Sequence, residues 1–294
     1  EGRGEDEEVE AVFTPYQPQH YKEGQAHPDA VVETTSLSFA EMPKIGYALT
    51  LPRGLLKPKT ASNPFGGALS NLQLETVLYA CQRHEQRLHS GARAGFFLGD
   101  GVGLGKGRQL AGIILENVLR LRTRHVWVSV SADLYEDAKR DLNDLGRKDI
   151  VVRNLTEFPL HSKIPIKEGV VFLTYAALVS KGEGGKRRID QILKWLKEGG
   201  GDGCVLFDEA HKAKNLVPDE DKINKKTGKP IKSKNSTKTA EAVHELQEKL
   251  PDARFVYCSA TGASDIAHMA YMERLGLWGS GTSFARFSQF NDAI

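Results

Sequence analysis

The chain has 294 residues, 40% hydrophobic and 27% charged, with a formal net charge of +2. That length suits one large domain or two small ones, and the composition can bury a core, which excludes collagen, a disulfide scaffold and disorder along the whole length. The longest apolar run, Gly169 to Val179, falls well short of the ~20 residues that cross a bilayer, so no membrane partner is expected. The charge is unevenly spread. Residues 1–10 carry six acids and one arginine, whereas residues 222–238 carry seven lysines and no acid, so the total says little about nucleic acid. Cys81, Cys204 and Cys258 sit in apolar surroundings without metal-ligand spacing, which points to a reducing compartment. No secretion signal is evident, and a first residue of Glu rather than Met reads as a piece of a longer protein.

In chain order, residues 1–12 are an acidic tail expected to be disordered, and residues 13–60 an extended arm punctuated by Pro and Gly. Residues 61–294 carry the pattern of one α/β domain. Ser70 fits a helix N-cap, and Leu72, Val77, Leu78, Ala80 and Cys81 share one side of a helix predicted to run to about Leu88. Strands are then predicted at 94–98, 125–130, 149–152, 169–174, 204–207 and 255–258. Helices are predicted at 108–121, 134–145, 189–196 and 239–250. Short, wholly apolar strands alternating with amphipathic helices specify a parallel sheet covered on both faces. The lysine-rich stretch 222–238 interrupts this order and reads as an inserted loop. It could meet nucleic-acid phosphates or act as a localisation patch, with a solvated loop the default; no aromatic residue in it offers base stacking.

The strand ending at Leu98 runs into Gly99-Asp-Gly-Val-Gly-Leu-Gly-Lys-Gly107, where a helix begins. A glycine loop between strand and helix lets backbone N–H groups converge on phosphate, with the helix N-terminus adding positive potential and Lys106 reaching the β/γ-phosphates. Gly101, Gly103, Gly105, Lys106, Gly107 and Arg108 are the expected nucleotide-binding residues. A dinucleotide or kinase loop is excluded, because GxGxxG started at Gly99, Gly101 or Gly103 puts Leu104, Lys106 or Arg108 at its last glycine. Against GxxxxGK[ST], Asp100 replaces the first glycine and Gly107 the hydroxyl residue that touches Mg²⁺. A threonine at 107, if it fits, is expected to strengthen Mg²⁺-dependent binding.

A hundred residues on, an apolar strand ends in Asp208-Glu209-Ala210-His211. Phosphoanhydride hydrolysis requires one carboxylate for Mg²⁺, which suits Asp208, and another to polarise water, which suits Glu209. The plainer alternative is an acidic pair capping the next helix. Ser259-Ala260-Thr261 closes a third apolar strand. Gly-Lys, the DEAH box and Ser-Ala-Thr in this order resemble the first lobe of the DExD/H helicase superfamily.

Within that superfamily the chain resembles the strawberry notch family. The stretches that carry the likeness are Gly99–Arg108, Phe207–Asn215, Tyr257–Ser264 and Arg274–Gly279, with His27–Thr34 and Leu72–Gln82 upstream. Departures are Ala210, where the family pattern has cysteine, and Gln109, where it has threonine. The resemblance implies a P-loop NTPase of RecA-like fold, a helicase-type ATPase using ATP and Mg²⁺. It also implies nuclear localisation and a role in transcriptional regulation, with nucleic acid or chromatin, and transcription factors, as partners. By the same resemblance Gln73 would contact adenine, Ser129, Ser131, Thr174 and Tyr175 would face a nucleic-acid backbone, and His211, Ser259 and Thr261 would couple nucleotide state to nucleic acid. Such enzymes need a second RecA-like lobe, expected to lie outside this chain, so the chain alone should hydrolyse poorly. A co-regulator scaffold with an inactive ATPase fold is the other reading: Gly107 favours it, while Lys106, Asp208 and Glu209 favour the enzyme.

Overall fold

Wholly apolar strands cannot face water on either side, so they pair with one another and are roofed twice. The computed structural model describes residues 46–52, 55, 60, 62, 66–213, 218–223, 230–232, 237–260 and 266–294, with two short segments upstream. Those segments, β1 (Phe13–Thr14) and β2 (Val31–Val32), pair antiparallel. The acidic tail, most of the arm, most of the lysine-rich stretch and Thr261 lie outside the described residues. No helix among the described residues is long and apolar enough to cross a membrane.

The main elements follow as α1 (Asn71–His84), β3 (Phe96–Leu98), α2 (Lys106–Leu119), β4 (Arg124–Ser129), α3 (Leu134–Asp144) and β5 (Val152–Asn154). Next come β6 (Gly169–Thr174), α4 (Tyr175–Leu178), α5 (Arg188–Glu198), β7 (Cys204–Phe207), β8 (Pro218–Ile223) and β9 (Pro230–Lys232). The chain closes with α6 (Lys238–Lys249), β10 (Arg254–Cys258) and α7 (Phe287–Ala293). Six strands form one parallel sheet in the order β3-β10-β7-β4-β6-β5. Successive side chains leave opposite faces of a strand. Val126, Val128, Val205, Phe207, Phe255 and Tyr257 accordingly enter a core with α4, α5 and α6, while Trp127, Cys204, Leu206, Val256 and Cys258 enter a second with α1, α2 and α3. This is the expected helix-covered parallel sheet.

Several predicted boundaries move, each for a local reason. α2 starts at Lys106 rather than 108 because Gly105, at φ 73°, turns the loop straight into the helix. β5 starts at Val152 rather than 149 because Asp149 is paired with Arg147 (2.7 and 2.8 Å) and the Ile150 N–H closes a turn onto the Arg147 carbonyl. The stretch read as an inserted loop overlaps a two-stranded antiparallel ribbon, β8 with β9, so a plain loop is not what is found there. Part of the arm is docked as well. The buried Glu116 carboxylate on α2 accepts from the Tyr47 hydroxyl (3.0 Å), the Thr50 N–H (2.8 Å) and the Leu51 N–H (3.0 Å). The C-terminal stretch folds back: the Arg274 guanidinium donates to the carbonyls of Gln247 and Leu250, which end α6, and lies over the Phe255 ring.

Candidate nucleotide site

Because β10 lies between β3 and β7, the glycine loop after Leu98, the turn after Cys258 and the acidic turn after Phe207 sit side by side at the carboxyl edge of the sheet. Ligands of open parallel sheets bind at that edge. The Cys258 thiol lies within the field of all of them. Burial raises it, Asp208, Glu209 and Asp100 raise it further, and Lys106 opposes them. The loop that carries Lys106, the turn at Asp208 and the turn at Ser259 therefore border one edge of the sheet.

The loop is built from left-handed turns at Gly103 (φ 88°) and Gly105 (φ 73°), conformations costly for a residue with a Cβ. The Lys106 ammonium folds over it, donating to the carbonyls of Asp100 (3.1 Å) and Gly101 (2.9 Å). Two glutamines staple the loop from outside. Gln73 shares a capping box with Ser70, its Oε1 accepting the Ser70 N–H (3.0 Å), and its Nε2 donates to the Leu104 carbonyl (3.2 Å). Both ends of that amide are thus engaged with protein, at the position expected to meet adenine. Gln109 Nε2 donates to Asp100 Oδ2 (2.8 Å) and to the same Leu104 carbonyl (3.3 Å), while its buried Oε1 has no partner among the described residues.

Gly107 and Arg108 face away, toward α3. A Cβ at Gly107 would run into the Asp141 carboxylate. The gain expected of a threonine there depends on its fitting, and the side of α2 that would carry the hydroxyl is occupied by Asp141. Arg108 Nη2 pairs with Asp144 (2.5 Å), Nε with Asp141 (3.4 Å), and Nη1 donates to the Ala68 carbonyl (3.0 Å). Its guanidinium is engaged by α3 and the segment before α1.

At the acidic turn, Asp208 Oδ2 accepts from the Ser129 hydroxyl (3.0 Å) and Oδ1 from the Glu209 N–H (3.0 Å). Burial pushes the Asp208 carboxyl above the usual carboxylate range; Glu209 adds to this, and the Ser129 hydrogen bond and Lys106 oppose it. His211 Nδ1 lies 3.2 Å from Glu209 Oε2 and 3.1 Å from Ser259 Oγ, so one ring nitrogen joins the acidic turn to the end of β10. Thr261, the remaining coupling residue, lies outside the described residues.

The four residues expected to face a nucleic-acid backbone divide. Ser129 is fully buried and Tyr175 nearly so, and both turn their hydroxyls to the acidic turn: Ser129 to the Asp208 carboxylate, Tyr175 to the Asp208 carbonyl (2.9 Å). For these two, a direct contact with a backbone is corrected. Ser131 hydrogen-bonds Asp133 ahead of α3, and Thr174 caps α4 through the Ala177 N–H (3.1 Å). Asp141, the staple role of Gln109, and Tyr271, whose hydroxyl donates to the Ala210 carbonyl, were not legible as part of the site. Asp141 and Tyr271 reach it from elements distant in sequence, Gln109 lies only 5 and 9 residues from the loop groups it holds, and no local motif marks any of them.

Residues 26–294 match a family described as P-loop containing NTP hydrolase pore-1. The chain is 46% identical over 287 residues to Protein FORGETTER 1 of Arabidopsis thaliana and 47% over 292 residues to Protein strawberry notch homolog 1 of Homo sapiens. To Protein strawberry notch of Drosophila melanogaster it is 47% identical over 296 residues. These matches take in 96%, 96% and 97% of this chain but 20%, 19% and 17% of those proteins, so the chain spans about a fifth of the length of the curated relatives it matches. Similar solved structures include the Sulfolobus solfataricus SWI2/SNF2 ATPase core in complex with dsDNA (TM-score 0.47, 16% identity, 75% of this chain and 37% of that one). Another is the DUF1998 helicase MrfA bound to DNA and AMPPNP (TM-score 0.46, 16% identity, 71% and 26%).

Proposed function

The chain belongs to the strawberry notch family of P-loop NTP hydrolases, and from that premise we propose that it is the ATP-binding first lobe of a helicase-type ATPase. Joined to a second RecA-like lobe, it would couple ATP hydrolysis to work on nucleic acid or chromatin, in the nucleus and in transcriptional regulation, with transcription factors among its partners. The observation that carries the ATPase reading is the strand order β3-β10-β7, which sets the lysine loop, the Ser259 turn and the Asp-Glu turn on adjacent strand ends.

In this reading each group has one task. The backbone N–H groups after Gly103 and the N-terminus of α2 receive phosphate oxygens, and Lys106 exchanges the Asp100 and Gly101 carbonyls for the β/γ-phosphates. Among the described residues no group of three or more His, Cys, Asp or Glu could hold a metal unaided. A half-buried Asp208 with a raised pKa, beside a second carboxylate and opposite one lysine, is nonetheless short of positive charge and fits Mg²⁺. Held by Asp208 with phosphate and water oxygens, Mg²⁺ would supply neutralisation of the phosphate charge. Glu209 orients and polarises the attacking water, and His211 relays its position to Ser259.

The test is made at full length. Lys106→Ala should abolish measurable ATP binding. Glu209→Gln should keep binding and stop turnover. If both variants hydrolyse ATP like wild type, the enzyme reading is wrong and the co-regulator scaffold replaces it.

A further inference from the structure

Among the described residues only two that are not glycine have positive φ, Leu121 (64°) and Glu209 (49°). A left-handed backbone is unfavourable for a residue with a side chain, and it persists where the surroundings over-determine it. Glu209 is held from both sides. The carbonyl before it, on Asp208, accepts from the Tyr175 hydroxyl (2.9 Å), and the carbonyl after it, on Ala210, accepts from the Tyr271 hydroxyl. The two phenols come from separate segments of the chain. Tyr175 follows β6 directly and stacks on Phe207 (ring centroids 6.5 Å, planes 18° apart), and Tyr271 comes from the folded-back C-terminal stretch and meets Tyr257 edge-on (6.0 Å). Both rings are buried in the core, and burial raises both phenols, so they remain protonated donors at neutral pH.

We propose that Tyr175 and Tyr271 are positioning residues which, by gripping the carbonyls on either side of Glu209, hold its left-handed backbone and so aim its carboxylate at the attacking water. Neither touches the nucleotide. The proposal rests on Glu209 acting in ATP hydrolysis, as above, and makes β6 and the C-terminal stretch mechanical parts of the acidic turn.

Phenylalanine at each position removes the hydroxyl and leaves the ring packed. Tyr257→Phe is the control: it lies in the same core, but its hydroxyl donates to Gln247 Oε1 and not to the turn. At full length, Tyr175→Phe and Tyr271→Phe should each lower kcat for ATP by about 5- to 10-fold, the size expected for one buried hydrogen bond, with KM and ATP affinity near wild type. The double variant should lose more, and Tyr257→Phe should match wild type. Amide exchange over residues 209–213 gives a second readout independent of turnover, expected to quicken in the Tyr175 and Tyr271 variants and not in the control. If Lys106→Ala and Glu209→Gln are inactive while the Tyr175 and Tyr271 variants keep wild-type kcat or exchange, the positioning role alone is overturned. A wild type that does not hydrolyse ATP overturns both this role and the ATPase reading.

Discussion

Gly107 occupies the one loop position where a P-loop ordinarily carries a hydroxyl, and its neighbour across the groove is a carboxylate. Asp141 reaches from α3 to fill the space a Cβ would take, and Arg108 lies against the same carboxylate. Burial raises Asp141, with Arg108 pulling the other way. Threonine at 107 must push Asp141 aside and break its contact with Arg108. We expect Gly107→Thr to cost about 1 kcal/mol or more of stability, as overpacking does, and to weaken ATP binding. Adding Asp141→Ala should recover part of both losses, because the two side chains compete for one space. Thermal unfolding and ATP affinity of the single and double variants measure it. Tighter Mg²⁺-dependent binding by the single variant would show that α3 gives way.

The joint between α5 and α6 is an ionic one. Arg187, which caps α5, bonds Glu245 on α6 through Nη1 (2.8 Å) and Nη2 (2.9 Å) and reaches Asp190 as well. Burial alone would raise the Glu245 carboxyl, but the hydrogen bonds from Arg187 and Lys249 outweigh it and hold the group at about 2. A carboxyl depressed by folding binds fewer protons in the folded state than in the unfolded one. Its stabilisation is therefore present above the ordinary value of 4.5 and is lost as pH falls toward about 2. Glu245→Gln should be less stable than wild type at pH 7, and the difference should close across that window. Denaturant unfolding of both proteins between pH 7 and 2 reads this directly, and a gap that stays constant would mean the pair contributes through packing alone.

For the whole molecule, acid sensitivity should begin earlier, through two buried histidines. His125 accepts the Cys204 N–H at Nδ1 (3.1 Å) and donates from Nε2 to the Arg122 carbonyl (2.8 Å), which specifies one neutral tautomer. His84 donates from Nε2 to the Phe255 carbonyl (3.1 Å). Burial lowers them to about 4 and about 3 from 6.5, their backbone hydrogen bonds opposing the fall and nearby arginines adding to it. Between pH 6.5 and these values the unfolded chain binds protons that the folded chain refuses, so stability falls with falling pH throughout that range. Replacing His125 with Gln, which can donate and accept in its place, should flatten the decline between pH 6.5 and 4. Unfolding curves in that range check the slope, and an unchanged slope would assign the sensitivity elsewhere.

Signals carried within a few neighbouring residues were readable in the chain itself. β6 and β7 stand where their apolar runs begin and end, the Ser70 cap starts α1, and the strand–glycine–lysine–helix sequence marks the phosphate loop. Helix period, capping and turn chemistry depend on a handful of adjacent side chains. Strand order does not. That β10 inserts between β3 and β7 follows from how the helices of both layers pack, and this alone makes a crevice of three separate motifs. The same distance hid Asp141 against Gly107 and the two tyrosines against Glu209, contacts between segments 33 to 61 residues apart that only a closed core brings together.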